Sequence, residues 1–389
     1  MKLALLGIDR DTPAIARAAA AAGHEIVWMY DDGAGGPLIG SLVPDASRGE
    51  SWESLLTGSI GDAVIVARSP DTEVRADQLR KLMQEAVPLL VAHPIHDSML
   101  IYYELDMIRR ERLGPVLPYL PARSHPAIGT LAGLFEGSDA RLGTPEQAVF
   151  QRATAARTPN EILDHFARDI DLVRALCGDM THVAALAPAE GAGRYANLGV
   201  QLNGPRGIVV RWSVEPTQAT PRGRLTLIGS RGQAVLEMPD ASDGHAAASW
   251  QVEIASAAGS RSETFPPWDP AAVALTQLAR VVAGEEVEPT WVDAARSVEL
   301  RETIGRSLAK GRTIELYYED YSEQATFKGT MTSLGCGLLV AALISLGVAA
   351  FAARIGVRWA GYWLYILLGL FALFLLLQLF KLVFPREES

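Results

Sequence analysis

The hydrophobic pattern at the start of the chain alternates between two kinds of segment. Short apolar runs with the length of buried strands lie at residues 2–7, 25–30, 63–67 and 88–92. Between them, residues 12–22, 51–56 and 73–86 carry a helical pattern. Such alternation predicts an α/β domain with a doubly wound parallel sheet of the Rossmann type, which we assign to residues 1–122.

The pattern changes after about residue 142. A helix is predicted over residues 160–176, and turn signals then separate strands at 197–202, 207–214, 224–228, 233–236 and 250–254. We therefore expect an α+β domain with a largely antiparallel sheet over residues 123–316, which serves substrate binding or oligomerisation. The helical stretch at its end, residues 270–308, can pack back on the first domain.

Two long apolar runs follow. Residues 331–353 carry no charge, and residues 359–380 begin with a cluster of tryptophan and tyrosine residues that suits a membrane interface. Each run has the length of about 20 residues that crosses a bilayer, and a very short link joins them. The sequence thus predicts a transmembrane hairpin over residues 331–384, preceded by a polar tether at 317–330.

Composition narrows the functional classes. The formal net charge of -10 gives no electrostatic case for nucleic-acid binding. Cys177 and Cys336 are the only cysteines, which indicates a reducing compartment, and no metal site is predicted. The apolar start of the chain reaches charged residues too early for a signal peptide. We expect a two-pass membrane protein whose soluble domain and both termini are cytoplasmic.

The turn after the first strand is a candidate nucleotide site, because backbone N–H groups at a helix start bind phosphate. Gly7 keeps the first glycine of the G-x-G-x-x-G pattern, whereas Asp9 and Thr12 stand at the second and third. Asp9 disfavours phosphate by its charge, which Arg10 can partly offset. Asp31 ends the second strand, where it either accepts ribose hydroxyls or is an ordinary exposed residue.

An ordered set of segments extends this pattern over residues 1–316. These segments are residues 7–31, 62–71, 89–94, 164–172 and 268–316. Residues 164–172 lie in a predicted helix and read D-x-x-x-R-x-I-D-L. Together these segments resemble the Gfo/Idh/MocA family of NAD(P)-dependent sugar and polyol dehydrogenases. The segment 89–94 takes the place of the family's E-K-P motif, and 164–172 is similar to its D-x-x-x-H-x-I-D-L helix.

The resemblance implies NAD or NADP as cofactor and a sugar- or polyol-like substrate that is oxidised at a CH–OH group. It also implies a set of cofactor-binding positions, which are Gly7, Asp9, Arg10, Thr12, Asp31, Ser69, Pro70 and Pro94.

The candidate catalytic positions depart from the family's motifs. His93 stands at the E-K-P lysine and Arg168 at the histidine of D-x-x-x-H, while Asp164 is retained. Imidazole titrates near neutral pH, so His93 can act as a general base, but a guanidinium stays protonated. His93 can equally be a structural residue with satisfied hydrogen bonds. Asp164 and Arg168 lie four residues apart on a predicted helix and can simply form an ion pair.

Two functions therefore remain open. The first is a membrane-anchored oxidoreductase, and the second is a catalytically inactive relative that senses a ligand or acts as a scaffold at the membrane. A transporter is disfavoured because the apolar runs lack embedded ionisable side chains. The expected partners are a small-molecule ligand, membrane lipid, and either a second copy of the chain or an unidentified membrane protein.

Overall fold

Two sheets organise residues 1–316 in the computed structural model. The structure describes residues 1–31, 43–56, 60–135, 141–188, 191, 193–217, 221–239 and 249–316, together with positions 345, 351, 352, 354, 362 and 363. Residues 1–316 form one compact unit and residues 317–389 another.

The first sheet is parallel throughout and has the strand order β3-β2-β1-β4-β5-β6. Its strands are β1 (Lys2–Leu6), β2 (Glu25–Tyr30), β3 (Ser47–Arg48), β4 (Ala63–Val66), β5 (Leu89–Val91) and β6 (Val116–Pro118). The strand order reverses between β1 and β4, so the carboxyl ends of these two strands flank a crevice. This sheet confirms the prediction of a doubly wound parallel fold.

Helices cover both faces of the first sheet. Among the described residues of 1–316, the α-helices are α1 (Thr12–Ala21), α2 (Thr72–Gln84), α3 (Met99–Arg112), α4 (Pro126–Phe135), α5 (Pro159–Cys177), α6 (Pro270–Val282) and α7 (Trp291–Lys310). Leu3 and Leu5 face a core that includes α1 and α6, whereas Ala4 and Leu6 face a core that includes α2, α3 and α7. Central parallel strands need this cover on both sides, which explains their continuous apolar runs.

The second sheet has nine described strands in the order β14-β13-β12-β11-β7-β10-β9-β8-β15. They are β7 (Pro145–Thr154), β8 (His182–Leu186), β9 (Gly199–Asn203), β10 (Val209–Pro216), β11 (Arg222–Gly229), β12 (Gly232–Pro239), β13 (Gln251–Ser256), β14 (Gly259–Thr264) and β15 (Ile314–Glu315). Only the β7–β10 pair is parallel among them. The expected largely antiparallel sheet is therefore present.

Helix α5 lies against the second sheet. Phe166 meets the Trp212 ring edge to face at 5.2 Å between centroids, and the indole Nε1 of Trp212 donates to the Asp169 carboxylate at 2.9 Å. Thr158 and Glu161 form a reciprocal capping box that begins the helix. The start and rotation of α5 are thus set by its cap and by its packing on β10.

Several elements differ from the sequence pattern. The stretch 270–308 was expected to be one helical segment, but it is divided between α6 and α7. Gly284 has a φ of +83° and Pro289 cannot continue a helix, which explains the break. Short strands such as β8 and β15 were not predicted because two to five residues carry little periodicity. The predicted boundary at residues 122 and 123 falls within a short helical turn, Pro121–Ser124.

The predicted membrane hairpin falls almost entirely outside the described residues, as does the tether at 317–330. Within the part of the chain that the structure describes, no helix combines the length and apolarity needed to span a bilayer. The runs 331–353 and 359–380 therefore stay a prediction from sequence.

Trp291 provides a test of how α7 is held on the first sheet. Its fully buried ring stacks on Tyr102 of α3 at 5.0 Å, and its Nε1 donates to the Tyr102 carbonyl oxygen at 3.0 Å. We expect Trp291→Ala to lower the free energy of unfolding by about 3–5 kcal/mol, because it leaves a large cavity. Urea denaturation measures this. Leu100→Ala, at a side chain that is 68% exposed, is the control and should change stability by less than about 0.5 kcal/mol.

Candidate functional site

The candidate site lies at the carboxyl ends of β1, β4 and β5. Gly7 directly follows β1 and has a φ of +79°, a conformation that favours glycine, and its N–H donates to the Tyr30 carbonyl oxygen at 2.8 Å. The turn then leads into α1. A small cavity of about 10 Å³, close to the size of one water molecule, is lined here by Asp9, Asp11, Thr12, Ala67, Ala92 and Tyr119 among others.

The Asp9 carboxylate occupies the backbone donors at the start of α1. Its Oδ1 accepts from the N–H groups of Asp11 and Thr12, both at 3.0 Å, and from the Thr12 hydroxyl at 2.9 Å. Its Oδ2 accepts from the N–H of Arg68 at 2.9 Å. A phosphate group would use the same helix start, so it must compete with a carboxylate of the chain itself.

The other proposed cofactor positions differ in their burial and in their contacts. The Arg10 guanidinium is 4.0 Å from the Asp11 carboxylate, and Asp31 is exposed at the end of β2, directly before residues outside the described set. The Ser69 hydroxyl accepts from the Asp71 N–H at 3.3 Å, in the loop that begins α2, and Pro70 beside it is exposed. Pro94 is buried and follows His93 through a cis peptide bond.

Arg168 connects α5 to the nucleotide turn. Its Nη2 donates to Asp11 at 2.7 Å and its Nε donates to the His93 carbonyl oxygen at 2.9 Å. Burial raises the Asp11 pKa, but the charges of Arg168, Arg10 and Arg68 outweigh burial and hold that pKa below its usual value. Arg168 therefore acts as a structural cation here, and its hydrogen bonds go to residues other than Asp164.

Asp164 lies between two other arginines. Its Oδ2 accepts from Arg68 Nη1 at 2.5 Å, and its Oδ1 accepts from Arg301 Nη2 at 3.3 Å. Arg301 also pairs with Asp97 at 2.8 Å. The ion pair that the spacing in α5 suggested, between Asp164 and Arg168, is replaced by these contacts because the facing arginines come from the loop after β4 and from α7.

His93 is completely buried behind these charges. Its Nδ1 is 3.4 Å from the Tyr102 hydroxyl, and its Nε2 has no hydrogen-bond partner among the described residues. Burial, followed by the positive charges of Arg168, Arg68 and Arg301, lowers the His93 pKa well below its ordinary value. The ring is therefore uncharged at neutral pH, and one ring nitrogen remains for a ligand.

Comparison with known proteins bears on the fold. No protein-family model matches the chain, and no curated protein sequence matches it. Solved structures do. An oxidoreductase from Agrobacterium radiobacter, in complex with NAD+, L-tartaric acid and magnesium, is 16% identical with a TM-score of 0.68, covering 81% of this chain and 98% of its own.

Two further structures show the same relationship. A putative myo-inositol dehydrogenase from Sinorhizobium meliloti is 19% identical with a TM-score of 0.64, covering 82% of this chain and 100% of its own. GenD2 from gentamicin A biosynthesis, in complex with NAD, is 17% identical with a TM-score of 0.65, covering 82% and 97%. The chain shares their fold. This agrees with the fold that the sequence resemblance implies, and at such identities it establishes the fold alone.

Sequence reasoning missed Arg68, Tyr102 and Arg301. Arg68 directly follows the apolar run at 63–67, and the carboxyl end of a parallel strand is where a binding residue is expected, so that signal was present. Arg301 lies 137 residues after Asp164, in a helix whose docking position the local pattern does not contain. Only the return of α7 to the first sheet brings it to the site.

The buried His93 predicts a dependence of stability on pH. The ring is neutral in the folded chain, but in the unfolded chain it binds a proton as the pH falls below about 6.5. Acidification from about pH 7.5 to about pH 5.5 should therefore remove up to about 1.4 kcal/mol of unfolding free energy per pH unit below that value. His93→Phe should reduce this slope in urea denaturation measured at each pH.

His182→Phe, at a histidine whose side chain is 39% exposed, controls for the loss of one imidazole. An unchanged slope in His93→Phe would show that the His93 ring titrates alike in the folded and unfolded chains, against the burial argument.

Proposed function

We propose that residues 1–316 bind NAD at the carboxyl-end edge of the first sheet and act as an oxidoreductase on a CH–OH group of a sugar- or polyol-like substrate. The observation that carries this is the crevice between β1 and β4, where the strand order reverses and the Gly7 turn leads into α1. Two of the structurally similar proteins, the Agrobacterium radiobacter oxidoreductase and GenD2, are complexes with NAD, which supports the same cofactor here.

The cofactor would lie along Gly7, Thr12 and Asp31, as in the sequence-based expectation, with Ser69, Pro70 and Pro94 farther along the same edge. NAD supplies a nicotinamide ring that accepts or gives hydride. Binding requires Asp9 to release the N–H groups of Asp11 and Thr12, or phosphate to bind beside it. We therefore expect weak NAD affinity in the unmodified chain.

The substrate would lie beside His93 and Asp164. A hydroxyl group can bond to His93 Nε2, and an uncharged imidazole can accept its proton while hydride leaves the adjoining carbon. Asp164 and Arg168 are positioning residues in this scheme, since their charged groups are engaged by Arg68, Arg301 and Asp11. The substrate positions stay proposals.

A second function is favoured by a separate observation. Asp9 accepts from the N–H groups of Asp11 and Thr12 at the start of α1, and Asp164 is paired with two arginines, so the groups that would bind phosphate and handle the proton are already engaged. This arrangement suits a catalytically inactive relative that binds a ligand without turnover. Production of NADH from NAD by the unmodified chain with any sugar or polyol would exclude that alternative.

Asp9 gives the sharpest test of cofactor binding. Titration of the full chain with NADH, followed by cofactor fluorescence, should show binding in the wild type and binding about tenfold tighter in Asp9→Gly. The variant frees two N–H groups at the helix start and removes a negative charge next to the phosphates.

Asp9→Asn is the matched control, because it removes the charge but keeps an oxygen that can accept the same hydrogen bonds. It should lie between the wild type and Asp9→Gly. Absence of any fluorescence change at millimolar NADH in all three proteins would contradict the NAD proposal.

We also propose that residues 331–353 and 359–380 anchor the chain as a two-pass membrane hairpin, with residues 1–316 on the cytoplasmic side. The support is the length and apolarity of the two runs and the aromatic residues at the second. Lipid would then be a partner, and the link at 354–358 would face the opposite side.

Alkaline carbonate extraction of membranes tests the anchor. The full chain should remain in the pellet, since two apolar spans partition strongly into lipid, whereas a chain that ends at Leu316 should be released. Release of the full chain would contradict the hairpin.

A further inference from the structure

Arg68 is the least satisfied charged residue of the candidate site. Its Nη1 bonds to Asp164, but its Nε and Nη2 are buried and have no hydrogen-bond partner among the described residues. Arg301, which bonds to the other oxygen of Asp164, likewise has a buried Nε without a partner. Buried guanidinium N–H groups without an acceptor are energetically unfavourable. We therefore expect that a ligand supplies a hydrogen-bond acceptor here.

The unoccupied atoms of Arg68 are the pair that binds a carboxylate side-on. Within this chain, Arg80 uses the same two atoms: its Nε and Nη2 donate to the two carboxylate oxygens of Glu104 at 2.8 and 2.9 Å. This two-point contact is the strongest that arginine makes with a carboxylate. In Arg68 the same edge is free, next to the strand end that borders the proposed cofactor edge.

The surroundings favour a ligand with both negative charge and hydroxyl groups. Arg68, Arg168 and Arg301 are all close enough to His93 to lower its pKa, so their positive charges act at the ring. His93 Nε2 is a further buried polar atom without a partner among the described residues. The Arg68 side chain as a whole is 24% exposed through its other atoms, so it lies at the border between the protein interior and solvent.

We propose that the site takes a polyhydroxylated carboxylate of the sugar-acid class, with its carboxylate on the Nε–Nη2 edge of Arg68 near Arg301 and a hydroxyl at His93. The reaction at the hydroxyl rests on the proposed function. The ligand class is inferred separately, from the arginine N–H groups that have no partner among the described residues. A neutral polyol can offer the same hydroxyl groups, yet it leaves the charged edge of Arg68 without a charged acceptor.

A matched ligand pair tests the proposal on the unmodified full chain. D-Gluconate and D-glucitol differ mainly in that a carboxylate replaces a terminal CH2OH. Isothermal titration should show gluconate binding at least about tenfold tighter than glucitol, as expected for a charge-assisted contact. Equal affinities, or no gluconate binding, would overturn the proposal.

Variants locate the contact. Arg68→Gln should weaken gluconate binding at least about tenfold and remove most of the preference for gluconate over glucitol, and Arg68→Lys, which keeps the charge without the two-point edge, should lie between. Arg80→Gln is the control, since it removes an arginine with the same edge outside the site and should leave gluconate affinity unchanged. Circular dichroism checks that each variant is folded, and the ligand pair on the wild type needs no variant.

The NADH titration on the same preparation separates this inference from the proposed function. A gluconate preference without NADH binding would support the ligand class and contradict the oxidoreductase. NADH binding without a gluconate preference would overturn the ligand class and leave the oxidoreductase in place.

Discussion

Burial of the parallel sheet on both faces is the constraint on which the rest of residues 1–316 depends. The central strands β1, β4 and β5 are apolar on both sides, so neither side can face water. Helices α1, α2 and α3 cover part of the two faces, and α6 and α7 return from the end of the unit to cover the remainder. Trp291, packed on Tyr102, is the largest fully buried side chain in that return.

The return of α7 also builds the candidate site. It brings Arg301 to Asp164 of α5, and Asp164 in turn holds Arg68 at the end of β4. Arg168, one turn further along α5, reaches Asp11 and the His93 carbonyl oxygen. Four segments distant in sequence are thus joined by alternating charges around one buried imidazole.

The charged residues around His93 form a different chemical environment from that of a site with a lysine at position 93. Burial and three arginines keep His93 uncharged, and Asp9 supplies to α1 the negative charge that a phosphate would otherwise supply. A cofactor would have to bind next to the negative charge of Asp9, and an anionic ligand would have to bind arginines that already pair with carboxylates. Binding at such a site is sensitive to single charges, and this is why exchanges at Asp9 and Arg68 are informative.

Local pattern was sufficient for the fold class, and it named several candidate site residues whose roles stay predictions. Apolar runs with strand length, and helices with a 3.6-residue period, are properties of a few neighbouring residues, so β1, β2, β4, β5 and α5 were predictable. Gly7 and Asp31 followed from their places at strand ends. The segments 331–353 and 359–380 were recognisable as apolar runs by length alone.

Only the tertiary structure decided which charges meet. The sequence spacing allowed Asp164 to pair with Arg168, but Asp164 bonds to Arg68 and Arg301 while Arg168 bonds to Asp11. Similarly, His93 could be named as a candidate base, yet its pKa is lowered first by burial and then by arginines on three other segments. Periodicity reports the environment of an element, whereas ion pairs depend on how elements dock across long separations in sequence, and that information is not local.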